Sequence, residues 1–445
     1  MILRIIVENF LSFREATQFD MFPNLKRTTF ENHIYKNKEI PLLKQAAIYG
    51  ANGSGKSNFI WAIEFIRKYV LDANFLSSIS VNEYKHKLAE STDSAPIYLF
   101  IEFSTTQNYY IYTLEIADNR IADESLYLSG IGRKENELIF SRKDKSIQFA
   151  EEPTTEIRSA IDKLINDNAM SSVLSLNNRF PIIKDKHATE VYSWFAKELE
   201  VVSFNAAAPQ LIDFMSENNE VMKFAKEAFA EIGLGINDLS IRTEPFDEWI
   251  SKKEHSHYKS EEKKLSSDNA VTGFAHNKPL FSIGVDNGIR TVKEFVFKQL
   301  GKNGYIGELD IKGQSDGTVR LLTLIPALYS AIKLGHTVVI DEINHSIHPS
   351  LIFALINYYA NTTTTGQLIF TTHETCLLNQ QQLMRPDEVW FTEKNEGATR
   401  MYSLNEFKVH STISIENGYI QGRYGAMPFI DTFDKTKSLI SFLST

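Results

Sequence analysis

The chain has 445 residues, 43% hydrophobic and 23% charged, which suffices for one large or two to three ordinary domains and excludes a mostly disordered protein. Lys and Arg total 47 against 56 Asp and Glu, a net charge of −9, so a whole-surface basic field for nucleic acid is excluded and only a local basic groove stays open. A single cysteine, Cys376, excludes intrachain disulfides and any zinc site built on several thiolates.

Residues 1–20 predict a strand, a polar loop and a second strand at 16–22. The opening run is too short for a signal peptide, with Arg4 and Glu8 interrupting it, and no stretch of 18 apolar residues follows; the expected address is the cytoplasm, without a membrane. Residues 42–49 form a compact apolar run stopped by Gly50, the pattern of a buried parallel strand. Over 57–71 the apolar side chains Phe59, Ile60, Ile63, Ile66 and Val70 recur at helical spacing. The texture then changes to short alternating stretches over 95–149, with turn clusters at 105–108 and 117–120, which predicts an antiparallel meander. Helical periodicity returns from 154 to about 235, a nearly apolar-free solvated loop occupies 251–268, and helix and strand patterns alternate from 318 to 405. No repeat, low-complexity block or long heptad array is present.

Chemistry concentrates at four places. Gly50-Ala-Asn-Gly-Ser-Gly-Lys-Ser57 fits G-x-x-x-x-G-K-[ST] between an apolar strand and a helix, the context that such a loop requires. Gly50, Gly53 and Gly55 let the backbone of this loop, with Asn52 and Ser54, curl so that N–H groups point at phosphate oxygens, and the following helix N-terminus adds partial positive charge. Lys56 can reach β- and γ-phosphates, and the Ser57 hydroxyl can ligate Mg²⁺. The strand 337–340 ends in Asp341 and Glu342, read as a metal ligand and a general base for the attacking water. A further apolar strand, 367–371, runs into Thr372 and His373, whose imidazole would face the γ-phosphate. Last, Gly313-Gln-Ser-Asp-Gly-Thr318 opens the helical run 319–332, where Ser315 and Gly317 can meet an anion, or simply cap the helix.

In this order the motifs resemble the ABC-type ATPases of the SMC/RecF/OLD group. More narrowly they resemble the AbiL/RloA group of abortive-infection ATPases, which includes the ATPase subunit of PARIS-type phage-defence systems. The resemblance runs through Val7-Glu-Asn-Phe-Leu-Ser-Phe13, the 49–57 loop, Ser315-Asp-Gly-Thr318, Asp341-Glu-Ile-Asn-His-Ser-Ile-His-Pro349, Thr371-Thr-His373 and Gly418-Tyr-Ile-Gln-Gly-Arg-Tyr-Gly425. It implies an α/β, ABC-type P-loop head with a mostly parallel core sheet, an antiparallel meander and an inserted helical lobe. The implied domains are an N-terminal ATPase lobe over 1–150, a largely helical insert over 151–300 and a C-terminal ATPase lobe over 301–445. It further implies that two heads sandwich ATP and Mg²⁺, with Ser315 and Gly317 of one protomer capping the γ-phosphate held by the other. Asn344, His345, Ser346 and His348 would then lie across the dimer seam. Family members usually read Asp-Glu-Ile-Asp-Asn-Ser-Leu-His-Pro there, so Asn344 and His345 are departures.

The stretch between Ser57 and Ser315 is too short for the coiled-coil arms of SMC proteins, and the stretch after His373 leaves little room for a TOPRIM nuclease. The expected function is therefore an ATP-hydrolysing homodimer, or a larger homo-oligomer, that controls a separate TOPRIM-like effector in phage defence. The alternative is a RecF-like repair ATPase that binds DNA directly; its support is Lys252, Lys253, Lys259, Lys263 and Lys264, interleaved with Glu254, Glu261 and Glu262. A transporter's nucleotide-binding subunit fits the Ser-Asp-Gly-Thr form and the long insert poorly, and a scaffold that barely hydrolyses ATP fits Glu342 poorly.

Overall fold

Alternation with a period of two builds the first sheet. In strand Ile97–Ser104 the side chains Ile97, Leu99, Ile101 and Phe103 are all buried, and their partners in Tyr109–Ala117 are Ile116, Leu114, Tyr112 and Tyr110, also buried. On the other side Ile2–Glu8 pairs antiparallel with Ile97–Ser104 and with Thr17–Asp20, placing Ile5 between Ile101 and Phe19. Arg120–Leu128, Glu137–Lys143 and Ser146–Phe149 extend the meander to seven strands. The computed structural model describes all residues except 37–38, 93, 118–119, 133, 181–184, 205–209, 253–270, 276–277, 287, 410–412 and 428–445. All the lysines that would support DNA binding, apart from Lys252, lie outside the described residues, and Lys252 is paired with Glu244 at 2.6 Å.

The chain divides into two units, one of Met1–Val201, Val339–Glu342 and Gln367–Thr445, the other of Val202–Val338 and Ile343–Gly366. In the first unit, continuous apolar runs become strands buried on both faces. Gln45–Gly50 is buried at every position, with Gln367–Thr371 parallel on one side and Val389–Asn395 parallel on the other. Ala398–Ser403 closes one edge antiparallel, and the end of Thr337–Ile340 and then Leu199–Val202 continue the sheet beyond Gln367–Thr371. This is the expected mostly parallel core of an α/β P-loop head. Helix Lys56–Leu71 buries Phe59, Ile60, Ile63, Phe65, Ile66 and Tyr69 in a core shared with Ile5, Phe19 and Ile48. Buried Gln367 ties the two sheets together, accepting from the Ile2 N–H at 2.8 Å and donating to its carbonyl at 3.0 Å.

The expectation of a single, largely helical insert over 151–300 differs from the structure. Thr155–Asp167, Val173–Arg179 and Lys186–Ser193 are helical, but Ile161, Ile165, Val173 and Val191 pack into the core of the first unit. The second unit begins at Val202, and its helices Leu211–Glu217 and Asn219–Ile232 are followed by an antiparallel sheet of five strands. Ile289–Leu300 is the centre of that sheet, pairing with Ile236–Pro245, Lys278–Asp286 and Ile306–Leu309. Leu239 pairs with Phe297 and Ile283 with Val292, all four buried in this unit's core, while Lys293 and Lys298 on the same strand are half-buried. Asp316–Leu334 is long and apolar enough by composition to cross a bilayer, yet 67% of its apolar window is buried and Leu321, Leu322 and Ile325 belong to the same buried cluster as Phe295 and Phe297, so it is this unit's core helix.

Candidate functional site

Strand Gln45–Gly50 delivers the chain into the loop at 51–55, and helix Lys56–Leu71 leaves it. Gly53 and Gly55 have φ of 75° and 109°, which only glycine adopts without strain. At Gly53 a side chain would meet open space, so the backbone angle alone requires glycine; at Gly55 a Cβ would also collide with Thr399 and with Ser12 Oγ. Gly50 is closed in the same way by Thr392 and Ser54. Asn52 is exposed and Ser54 buried. Lys56 and Ser57 occupy the first helical turn, whose N–H groups have no intrahelical acceptor and face outward from the helix end.

The Lys56 ammonium is buried, 5% exposed, and donates to the carbonyls of Gly50 at 2.9 Å and Ala51 at 3.1 Å. Burial pulls its pKa down to about 8, against the opposing pull of Glu342 and Asp341. Two weak neutral partners hold a cation that two carboxylates also attract, an arrangement that favours an anionic ligand with strong acceptor oxygens.

Strand Thr337–Ile340 is wholly buried and ends at Asp341, 2% exposed, followed by half-buried Glu342. Glu342 has φ of 49°, in the left-handed region that a glutamate rarely occupies. One buried hydroxyl fixes both residues: Thr371 Oγ1 donates to Asp341 Oδ1 at 2.6 Å and accepts from the Glu342 N–H at 2.7 Å. The next strand, Gln367–Thr371, leads to His373. Burial lowers the pKa of this imidazole; the Lys56 charge lowers it further and Asp341 opposes, so it is neutral at neutral pH. Lys56, Asp341, Glu342 and His373, read from separate motifs, therefore share one electrostatic neighbourhood. The Ser57 hydroxyl and Asp341 carboxylate are hard oxygen donors of the kind Mg²⁺ takes alongside phosphate, and among the described residues no cluster of three or more His, Cys, Asp or Glu offers an all-protein metal cage.

Ser315 and Gly317 belong to the second unit. Ser315 caps helix Asp316–Tyr329, its Oγ accepting from the Thr318 N–H at 3.2 Å. A Cβ on Gly317 would come within 2.5 Å of the Ser346 carbonyl, so glycine there allows the 343–348 turn to lie against the helix start. In that turn Ser346 has φ of 58°, His345 packs edge-on against Phe204 with centroids 4.5 Å apart, and His348 caps helix Pro349–Asn361. The Gly418–Gly425 motif is a packing device: Tyr419 stacks on Phe391 and meets Tyr49 edge-on, beneath the strand that feeds the loop. Thr371, Ser12, Thr392 and Thr399 brace the site; Ser12 and Thr371 fall within sequence motifs, whereas Thr392 and Thr399 belong to none.

A family model described as "AAA domain, putative AbiEii toxin, Type IV TA system" matches residues 46–379, a span that holds the loop, Ser315, Asp341, Glu342 and His373. The chain belongs to this family. It is thus a P-loop ATPase domain, built on the α/β core described above. No curated protein matches the chain. Among solved structures, it is similar to an SMC head bound to the C-terminal winged-helix domain of ScpA, with 14% identity and a TM-score of 0.45 over 94% of this chain and 99% of that one. The SMC head domain from Thermotoga maritima gives 12% and 0.41 over 90% and 98%. An SMC head with an extended coiled coil bound to the C-terminal domain of ScpA, from Pyrococcus furiosus, gives 15% and 0.40 over 95% and 98%. These likenesses are distant, and the fold rests on the chain's own strands and loop.

Proposed function

We propose that this AAA-family chain binds ATP with Mg²⁺, hydrolyses it, and acts as the ATPase subunit of a phage-defence system of the AbiL/RloA kind in the cytoplasm. The observation that carries the reading is the convergence of Lys56, Asp341, Glu342 and His373 around one glycine-rich loop. The loop N–H groups and Lys56 hold the β- and γ-phosphates. Ser57 and Asp341 would hold Mg²⁺, which neutralises charge that develops on the phosphate oxygens. Asp341 is oriented by the Thr371 hydroxyl. The Glu342 carboxylate takes a proton from water as the water oxygen bonds to the γ-phosphorus; the bond from that phosphorus to the β–γ bridging oxygen breaks, and ADP leaves with the electron pair. Neutral His373 donates a hydrogen bond to a γ-phosphate oxygen.

Ser315 and Gly317, at a helix N-terminus in the second unit, act across a homodimer on the nucleotide of the other copy. The family's link to abortive-infection toxins supports a defence role, and the output is a separate effector, a TOPRIM-like nuclease. Glu342→Gln tests the core of this reading. With ATP and Mg²⁺ the variant retains nucleotide and doubles in mass by light scattering; a monomer that carries ATP removes the trans arrangement, and a variant with unchanged turnover removes Glu342 as base.

A further inference from the structure

The glycine-rich loop is braced by hydroxyls from chain segments far outside the motif. Thr399 Oγ1, 4% exposed, lies 2.8 Å from the Ser54 carbonyl and 2.7 Å from Ser12 Oγ. Asn58 Nδ2, from the first turns of the helix, donates to the same Ser12 Oγ at 2.7 Å. A hydroxyl has one proton to give. If Thr399 gives its proton to the Ser54 carbonyl, which can only accept, then Ser12 donates to Thr399 and accepts from Asn58. The result is a directed chain, Asn58 to Ser12 to Thr399 to the Ser54 carbonyl, with every member satisfied. A second chain runs alongside it: Ser54 Oγ and Thr392 Oγ1 are 2.7 Å apart, and Thr392 donates to the Tyr49 carbonyl at 3.2 Å. The backbone joins in, with the Thr399 N–H donating to the Ser12 carbonyl at 2.7 Å.

These bonds act on the peptide that matters. The Ser54 carbonyl and the Gly55 N–H belong to one planar unit, so fixing the carbonyl fixes the direction of the N–H. That N–H is one of the donors that curl toward phosphate. Gly55 itself, with φ of 109°, has no room for a Cβ because Thr399 and Ser12 sit against it. The same two hydroxyls thus explain why position 55 must be glycine and how the peptide before it is aimed.

We propose that Thr399 and Ser12 are positioning residues for the phosphate-binding loop, holding the Ser54–Gly55 peptide so that its N–H faces the β-phosphate. The proposal rests on the reading that this loop binds ATP. Thr399 touches no nucleotide in this scheme; it acts through the peptide plane. A valine at 399 keeps shape and volume but removes the hydroxyl, leaving the Ser54 carbonyl and Ser12 without their partner.

The test compares Thr399→Val, Thr399→Ser, Ser12→Ala and Lys56→Ala in the full chain, measuring Kd for a fluorescent ATP analogue, KM and kcat for ATP, and the unfolding temperature without nucleotide. Thr399→Val weakens Kd and raises KM by about tenfold, with a smaller change in kcat, since loop contacts to phosphate are made in ground and transition states alike. Thr399→Ser restores both toward the parent, and Ser12→Ala weakens binding by a few-fold. A merely structural role lowers the unfolding temperature of Thr399→Val and the active fraction while KM of the folded remainder stays put, which overturns the proposal. So does equal loss in Thr399→Val and Thr399→Ser, which assigns the effect to packing. Should Thr399→Val fail to fold, an unchanged Kd in Ser12→Ala overturns it instead. If Lys56→Ala binds and turns over ATP like the parent, the loop is not the nucleotide site, a failure distinct from that of Thr399.

Discussion

Glu124 and Arg142 face each other across neighbouring strands of the meander, both 0% exposed, in the same unit as the phosphate-binding loop. Glu124 accepts from Tyr112 at 2.9 Å, from Tyr69 at 3.1 Å and from the Val173 N–H at 2.9 Å, with Arg142 3.7 Å away. Arg142 donates to the carbonyls of Asp144, Ser171 and Ala169 at 2.8, 2.7 and 2.5 Å. Around the loop Lys56 and Asp341 are nearly as well hidden, but they are held differently. Lys56 rests on two loop carbonyls, two carboxylates pull on it, and backbone strain sits at Glu342. Burial of ionisable groups is common to both places and therefore does not mark function. The difference lies in the partners: the meander network joins a carboxylate to a guanidinium, two phenols and a backbone N–H and fastens the Val173 helix to the sheet, whereas the Lys56 ammonium rests on two neutral carbonyls of its own loop.

The comparison breaks most visibly if a change to the closed network costs activity and not stability. Arg142→Ala leaves Glu124 with a buried, uncompensated charge and should cost about 3–5 kcal/mol of unfolding free energy, read by urea denaturation. ATP affinity of the folded fraction should stay within a factor of two. A fall in affinity without a shift in midpoint would show that the network communicates with the loop.

Glu342→Gln is the counterpart at the open site. Its turnover should drop by about 10²–10⁴-fold, the scale of general-base catalysis, with the urea midpoint little changed. If midpoint and turnover fall together, the left-handed backbone at 342 serves the fold and not the chemistry. Thr371→Val comes next in size. Asp341 loses one donor and the Glu342 N–H one acceptor, and a hydrogen bond to a charged group is worth about 1.5–3 kcal/mol. The expected reading is a tenfold to hundredfold fall in kcat at saturating ATP, partly recovered by Thr371→Ser.

The loop, the meander and the two carboxylates could be read from sequence because each follows a local rule. Gly50, Gly53, Gly55 and Lys56 stand at fixed spacing, Ile97, Leu99, Ile101 and Phe103 alternate, and Val338 to Ile340 form an unbroken apolar run before Asp341. What stayed hidden is non-local. Thr399 and Ser12 are 387 residues apart in sequence, and no spacing rule joins them. Nothing in a glutamate announces φ of 49° at position 342. The sheet of the second unit escapes for another reason: Ile289–Leu300 buries Val292 and then Phe295, Val296 and Phe297 in succession, without strict alternation, and Lys293, Glu294 and Lys298 dilute the apolar signal to the level of a solvated segment. Helical periodicity upstream, real as far as Ile232, then suggests a helical lobe that continues further than it does.

The smallest expected effect is also the one that sets the two regions apart by sign. Lys56 has its pKa lowered by burial to about 8, from an ordinary value of 10.5. Between those values the unfolded chain binds this proton and the nucleotide-free fold does not, so ν for the unfolded state exceeds that of the native state and stability rises with pH across the window. Binding of a triphosphate has the opposite dependence. It needs the ammonium, and above pH 8 a proton must be taken up first, so ATP affinity should fall by about tenfold from pH 7 to 9. Lys56→Met should abolish both slopes, since it has no proton to exchange. The Glu124–Arg142 network offers no such crossing: changes there move stability and leave the pH dependence of ATP affinity untouched. Calorimetric titration with ATP at pH 7, 8 and 9, alongside urea unfolding of the nucleotide-free chain at the same values, reads both slopes. Parallel slopes in place of opposed ones would mean that the Lys56 ammonium is held for the fold, as Arg142 is, and not for the phosphate.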